Sequence, residues 1–394
     1  MIIEVEALKK GVQEEVDTFQ EELVALSDRI HGQPELAFQE HRAVAWLTSF
    51  LRRQGLEVEA ELGGLPTAFL ARHGEGRPVI ALLAEYDALP GIGHGCGHNL
   101  IAAGAAGAMV ALRRAWPSPP GTVLLIGTPA EEGGGGKIIL LERGCFREVD
   151  AALMFHPAGR TVLSREALAA MPLEMEFRGK AAHAASAPHE GINALEALLL
   201  TFNNINALRQ HLKEEVRIHG IVTRGGKAPN VVPDLAEGQF LVRARTRAYL
   251  KEVVEKVKNC ARAGALATGA ELFIREGLIY AERVDNRVLV DLFAANLRAL
   301  GEEPVEDNGG GMGSSDMGNV SLEVPAIHPY IGLGEEAGGV HSEEFARAAG
   351  SEAGRKAMLI GAKALAMTAV DLLANKHHLR RAREEFQRLM AKRP

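Results

Sequence analysis

One change of periodicity constrains this chain more than any other feature. Short apolar runs at Thr67–Arg72, Val79–Glu85, Thr122–Gly127 and Ala151–Phe155 alternate with helical spacing at 98–115 and 135–143, after helical patterns at 7–30 and 40–54. Val79-Ile80-Ala81-Leu82-Leu83-Ala84 is apolar at every position, as a strand buried on both faces must be. Such alternation predicts an α/β layered sheet. After about residue 166 the texture changes. Strand patterns at Met171–Arg178, Val216–Thr223, Glu237–Arg245 and Glu271–Arg275 surround helical ones at Gly191–His211 and 249–267. The order β-α-β-β-α-β predicts a compact ferredoxin-like α+β unit. Helical patterns at 286–299, 351–374 and 378–391 then resume the first texture. The expected organisation is a discontinuous α/β domain, residues 1–166 and 278–394, with a second domain inserted at 167–277.

Composition removes several classes. A length of 394 residues exceeds what one core usually supports, ~250–300 residues. Lys and Arg number 44 against 51 Asp and Glu, a net charge of −7 with no basic stripe, which argues against nucleic acid as a partner. The longest apolar run, Ile101 to Leu112, is glycine-interrupted and short of the ~20 residues a spanning helix needs, so no membrane is expected. Met1 to Lys10 lacks the apolar centre of a signal peptide, and three cysteines are too few for a disulfide framework. These readings predict a cytoplasmic protein. The basic tail Lys376 to Lys392 places Leu379, Phe386 and Leu389 at helical spacing, as a solvated amphipathic helix would.

The chemistry concentrates in loops after strands. His94-Gly95-Cys96-Gly97-His98 packs three metal-capable side chains between the apolar run 79–84 and the helical segment from Leu100. Strand, glycine loop, helix is where an α/β protein places its site. Thiolate with imidazole suits zinc and its first-row neighbours better than magnesium or calcium. Glu131-Glu132 follows the run Thr122–Gly127; of two adjacent carboxylates, one can bind metal while the other handles protons. Phe155-His156-Pro157 follows the next run, and Gly338-Gly339-Val340-His341 places a histidine before a helix. Taken singly, each fits an ordinary loop. Together Cys96, His98, Glu132, His156 and His341 are more donors than one tetrahedral zinc requires, and they suit two metals that share a ligand.

Five segments in order then carry a resemblance: Glu85-Tyr86-Asp87-Ala88-Leu89-Pro90, His94 to Asn99, Pro129-Ala130-Glu131-Glu132-Gly133, Gly179-Lys180-Ala181-Ala182-His183-Ala184 and Asn230-Val231-Val232-Pro233-Asp234. They resemble the aminoacylase/carboxypeptidase family of dinuclear metallo-amidohydrolases, in the branch of aminobenzoyl-glutamate hydrolase, hippurate hydrolase, indoleacetyl-amino-acid hydrolases and β-alanyl dipeptidases. His31-Gly32-Gln33-Pro34-Glu35-Leu36 and Gly313-Ser314-Ser315-Asp316 extend the similarity over nearly the whole chain.

The resemblance implies a mixed-sheet metallo-hydrolase domain with the inserted domain as lid and dimerisation module. It implies two divalent ions per subunit, zinc first, with manganese, cobalt or nickel as alternatives. Cys96, His98, Glu132, His156 and His341 would hold them, with Cys96 as the bridge. Glu131 would be general base, and His183 would reach the scissile carbonyl. The substrate would be an N-acyl amino acid or small dipeptide, its carboxylate met by Asn230 and Arg243; Arg243 also fits an ordinary surface strand position. A homodimer through the inserted domain is expected, with His183 acting in cis or from the partner. Where the carboxypeptidase branch carries His-x-Asp, this chain has Glu85-Tyr86-Asp87, so both acids are left out of the ligand set and Asp87 is expected behind a ligand. His94 is read as an active-site loop residue. The rivals are a non-catalytic metal-binding regulator and a Cys96 nucleophile paired with His98.

Overall fold

The computed structural model describes residues 2–307 and 313–393. It divides into two compact units, Met1–Glu166 with Arg283–Pro394, and Ala167–Glu282. The first unit opens with α1 (Ile2–Thr18) and α2 (Gln20–Gly32), two helices where the spacing at 7–30 predicts one. The chain breaks at Phe19, whose backbone leaves helical geometry while its ring is buried 6.4 Å from that of Phe50. α3 (His41–Arg53), β1 (Glu57–Ala60), β2 (Phe69–Gly74) and β3 (Val79–Ala84) follow. β1 escapes the sequence reading because it is four residues long, two of them glutamate, and exposed at all but Val58. Next come α4 (His98–Ala115), β4 (Thr122–Gly127), α5 (Gly136–Glu142), β5 (Ala151–Leu153) and β6 (His156–Ala158).

The second unit holds β7 (Ala169–Arg178), α6 (Ala194–Leu208), β8 (Arg217–Arg224), β9 (Leu235–Ala244), α7 (Arg247–Thr268) and β10 (Glu271–Glu276). Its sheet runs β10-β7-β9-β8 with every pair antiparallel, the ferredoxin-like order. Met171, Leu173, Met175 and Phe177 alternate inward on β7 and join one apolar core with α6 and α7, while Glu174 points outward. The unit runs five residues past the expected boundary at 277. Tyr280 exchanges backbone hydrogen bonds with Ala170, and Glu282 accepts one from the Arg247 N–H at 2.7 Å.

The chain then returns to the first unit with α8 (Arg287–Ala299), α9 (Met317–Ser321), β11 (Ala326–Ile327), β12 (Tyr330–Gly332), α10 (Glu343–Ala349), α11 (Glu352–Ala374) and α12 (Lys376–Met390). The main sheet has the order β1-β2-β4-β3-β5-β11; β1, β2 and β4 pair antiparallel and the others parallel. β3 is buried along its whole length: Ile80 and Leu82 enter one core with α4 and α11, Ala81 and Leu83 another. α4 is closely packed; a methyl at Gly107 would lie 2.6 Å from Leu23. α11 is long and apolar enough to cross a membrane, and most of it is buried in this core. His156 opens a strand instead of closing one. Residues 151–153 pair with β3 and β11, whereas His156–Ala158 changes partner to β12.

Candidate metal centre

Local folding aims the donors of the first unit at one another. His98 is the first residue of α4, and Gly97 before it takes a left-handed φ of 71°. A side chain there would meet Pro157 at 2.8 Å as well as strain the backbone, so the turn presenting Cys96 and His98 requires glycine. After β4 the chain reverses at Ala130, φ 59°, whose N–H donates to the buried Glu40 carboxylate at 2.8 Å. That turn presents Glu131 and Glu132. His341, also left-handed at φ 68°, donates its backbone N–H to the Gly95 carbonyl at 2.9 Å, which ties it to the glycine loop.

Two donor triads result. Cys96, His98 and His156 have ligand atoms mutually within 4.8 Å, as do Cys96, Glu132 and His341. The triads share Cys96, which is the arrangement a bridging thiolate needs. His341 Nε2 lies 3.4 Å from Glu132 Oε2. Two ligands bound at ~2.0–2.2 Å to one tetrahedral ion stand about 3.4 Å apart. Glu131 has a different neighbourhood: it groups with His98 and Glu132, and again with Glu85 and Asp316.

The hydrogen bonds leave ligand atoms unused. His98 Nδ1 lies 2.9 Å from the Asp87 carbonyl and 3.0 Å from its carboxylate, both acceptors, so Nδ1 carries a proton. Nε2 is fully buried without a hydrogen-bond partner, and so is Oε1 of Glu132. His156 Nδ1 donates to the Pro157 carbonyl at 2.6 Å, leaving its Nε2 for a metal. Buried orphan atoms of this kind call for an explanation, and a bound cation would supply it. Asp87 stands behind His98 and also accepts the Glu132 N–H at 2.8 Å, orienting two candidate ligands at once.

Electrostatics points the same way. Burial alone would lower the His98 pKa, but Asp87, Glu85 and Glu132 outweigh it and raise it well above the ordinary value. The acidic pocket therefore demands positive charge. Burial, then the Glu85, Glu132 and Asp316 charges, hold the Glu131 carboxyl well above its usual range. Burial and Glu132 push the Cys96 thiol up. Burial and His98 bring His156 down to about 3.

Other residues fall outside the cluster. His94 is buried with Nε2 3.1 Å from the Ile30 carbonyl and its ring stacked on His31, so it braces α2 against the loop. Glu35 caps α3 by accepting the Arg42 and Ala43 N–H groups, and its carbonyl accepts the Ala88 N–H. Cys145 and Cys260 belong to no donor group among the described residues. In the second unit, His183 is exposed and its Nδ1 accepts the Ala185 and Ser186 N–H groups at 3.2 Å, which puts the ring proton on Nε2 as an outward donor. Asn230 is beside it: its carbonyl accepts the Ala184 N–H, and Val231 bridges to His183. Arg243 is not. Arg178 pairs with Leu235 near that end of the sheet, and Arg243 lies eight residues further along β9, about 26 Å away at ~3.3 Å per residue. Sequence reasoning missed Lys137, which is fully buried and ion-paired to Glu85 and, at 2.8 Å, to Asp316. It stands in the apolar run Lys137-Ile138-Ile139-Leu140-Leu141, which marks a helix without showing which face is buried.

The chain matches the family model described as Peptidase family M20/M25/M40 over residues 81–369. It is 40% identical to the human Xaa-Arg dipeptidase over 406 aligned positions, covering 98% of this chain and 93% of that protein. It is 27% identical to thermostable carboxypeptidase 2 of Saccharolobus solfataricus, covering 86% of this chain and 93% of that protein. Its fold is similar to a Bacillus subtilis dinuclear metal binding peptidase of the M20 family, with a TM-score of 0.68 at 22% identity, covering 91% of this chain and 99% of that one. With the family model spanning most of the chain and the dipeptidase aligned end to end, this protein belongs to peptidase family M20/M25/M40 and is a metal-dependent amide hydrolase.

Proposed function

We propose that the protein hydrolyses the amide bond of small dipeptides or N-acyl amino acids, with dipeptides ending in arginine the first class to test. One observation carries the reading: two donor triads share Cys96, and Glu131 stands beside them with a different set of neighbours. Cys96, His98 and His156 would hold one divalent ion, and Cys96, Glu132 and His341 the other. Bound there, the ions would supply the Lewis acidity that lowers the pKa of water and polarises an amide carbonyl. Zinc suits the S, N and O donor set, with manganese, cobalt and nickel as alternatives.

The chain's own groups do the rest. Glu131 takes the proton of the attacking water and returns it to the leaving amine. In the metal-free site burial and the Glu85, Glu132 and Asp316 charges hold the Glu131 carboxyl well above its usual range. His183, with its proton on Nε2, donates a hydrogen bond to the developing oxyanion, from the same subunit or from a partner. Asn230 binds substrate beside it. A dipeptide spans only ~7 Å, so Arg243 meets the same substrate as His183 only if the two come from different subunits.

Dimerisation runs through β8. That edge strand has no second neighbour among the described residues and exposes Ile221 and Val222, at 61% and 43% of their surface. The compartment is cytoplasmic, and neither membrane nor nucleic acid is a partner. The test is a panel of Xaa-Arg and other dipeptides, N-acyl amino acids and p-aminobenzoyl-glutamate with added Zn, Mn or Co. Hydrolysis that chelation abolishes supports the reading. A protein holding two equivalents of metal that cleaves nothing in the panel overturns it, and activity surviving full chelation points to Cys96 as nucleophile.

A further inference from the structure

Behind Glu131 lies a third group of acids that the two triads do not use. Glu85, Glu131 and Asp316 have oxygens mutually within 4.8 Å, close enough to hold a cation of their own. Glu85 and Asp316 are buried; Oε1 of Glu85 faces Lys137, while its Oε2, which has no hydrogen-bond partner, lies 3.5 Å from Nε2 of His98. A cation is already present: the ammonium of Lys137, itself without exposed surface, pairs with Glu85 and lies 2.8 Å from Asp316 Oδ1. Asp316 clasps the same residue again, its Oδ2 accepting the Lys137 backbone N–H at 2.9 Å. Buried charges persist only when paired, and three carboxylates around one ammonium still leave net negative charge.

We propose that Lys137 is a positioning residue for Glu131, a tethered ammonium that fills a third cation site and keeps Glu131 available as base. The proposal rests on the two-metal reading above. Without the ammonium, Glu85, Glu131 and Asp316 form an all-oxygen site for a hard divalent ion such as Mn2+ or Mg2+. Glu131 would then be a ligand, its negative charge offset by the ion and its basicity toward water lowered. An ammonium satisfies the same acids through hydrogen bonds and has no open coordination position for Glu131 to enter.

The test counts metal. Wild type and Lys137→Met are stripped, titrated with Mn2+, and their bound equivalents measured by elemental analysis and by the EPR signal of bound Mn2+. Wild type should bind two equivalents and Lys137→Met three, the third with an EPR signal unlike the thiolate-bridged pair. The kcat of Lys137→Met should fall at least ~10-fold, a part of the ~10²–10⁴ that general base catalysis supplies, with KM little changed. Lys137→Gln, whose amide still donates to one carboxylate, repeats the measurement if the methionine variant does not fold. Two equivalents in a folded Lys137 variant overturn the proposal while leaving the two-metal reading intact. Failure of wild type to bind two equivalents overturns that reading itself.

Discussion

Replacing Cys96 with alanine should remove both metals' contribution to stability together, because its sulfur belongs to both triads. A four-ligand zinc site supplies ~10–16 kcal/mol, about 2.5–4 kcal/mol per ligand, so each ion that loses the thiolate should bind on the order of 10²–10³-fold more weakly. An ion present at one hundred times its Kd stabilises the fold by ~2.7 kcal/mol, and two by ~5 kcal/mol. At the same concentration, sites weakened ~100-fold would together supply less than ~1 kcal/mol. For a unit of this size ~2 °C accompanies each kcal/mol, so wild type should gain roughly 10 °C in Tm on metal addition and Cys96→Ala at most ~2 °C. The assay is thermal unfolding with and without metal for each protein. Cys96 is 7% exposed, and any packing loss from its truncation cancels in that comparison. A full wild-type shift in Cys96→Ala would refute the ligand assignment. A shift of half the wild-type size would mean the sulfur serves one ion only.

Four further outcomes are expected. Glu131→Gln should retain both metals and lose ~10²–10⁴-fold in kcat, whereas Glu132→Gln should bind less metal by elemental analysis; the reverse pattern would exchange their roles. His183→Ala and Glu131→Gln homodimers should each be nearly inactive, and verified heterodimers of the two should recover activity if His183 acts across the dimer. Ile221→Lys with Val222→Glu should convert a dimer to a monomer in light scattering, since both side chains are exposed on the free edge of β8. Burial, with the Asp87 charge, raises Glu40 to about 7, so between pH 4.5 and 7 the folded state binds more protons than the unfolded one and stability falls as pH rises. In metal-free protein followed by denaturant titration, the Glu40 share of that loss, up to ~3 kcal/mol, should be missing from Glu40→Gln, whose side-chain carbonyl still accepts the Ala130 N–H.

Local chemistry was readable from the chain alone. The continuous apolar run of β3, the small-residue helix α4 and the period-two alternation of β7 each declare their burial through the residues themselves. Four of the five candidate donors were legible beside turns, Cys96 and His98 flanking the left-handed Gly97, Glu132 following Ala130 and His341 itself left-handed, while His156 stands between two short strands. Other features depend on groups far apart in sequence. The break at Phe19 leaves its ring buried beside that of Phe50, and β11 and β12, two and three residues long, are strands only because β5 and β6 lie beside them. Nothing in the sequence pairs Lys137 with Asp316, 179 residues away, or aims Glu40 at the Ala130 N–H across 90 residues. Asn230 and Arg243 looked equivalent as sequence; the antiparallel register puts one beside His183 and carries the other to the far end of β9. Spacing along a chain reports which face a residue takes within its own element. Which ion partner a buried charge finds, and which end of a sheet a side chain reaches, is decided when elements distant in sequence pack together.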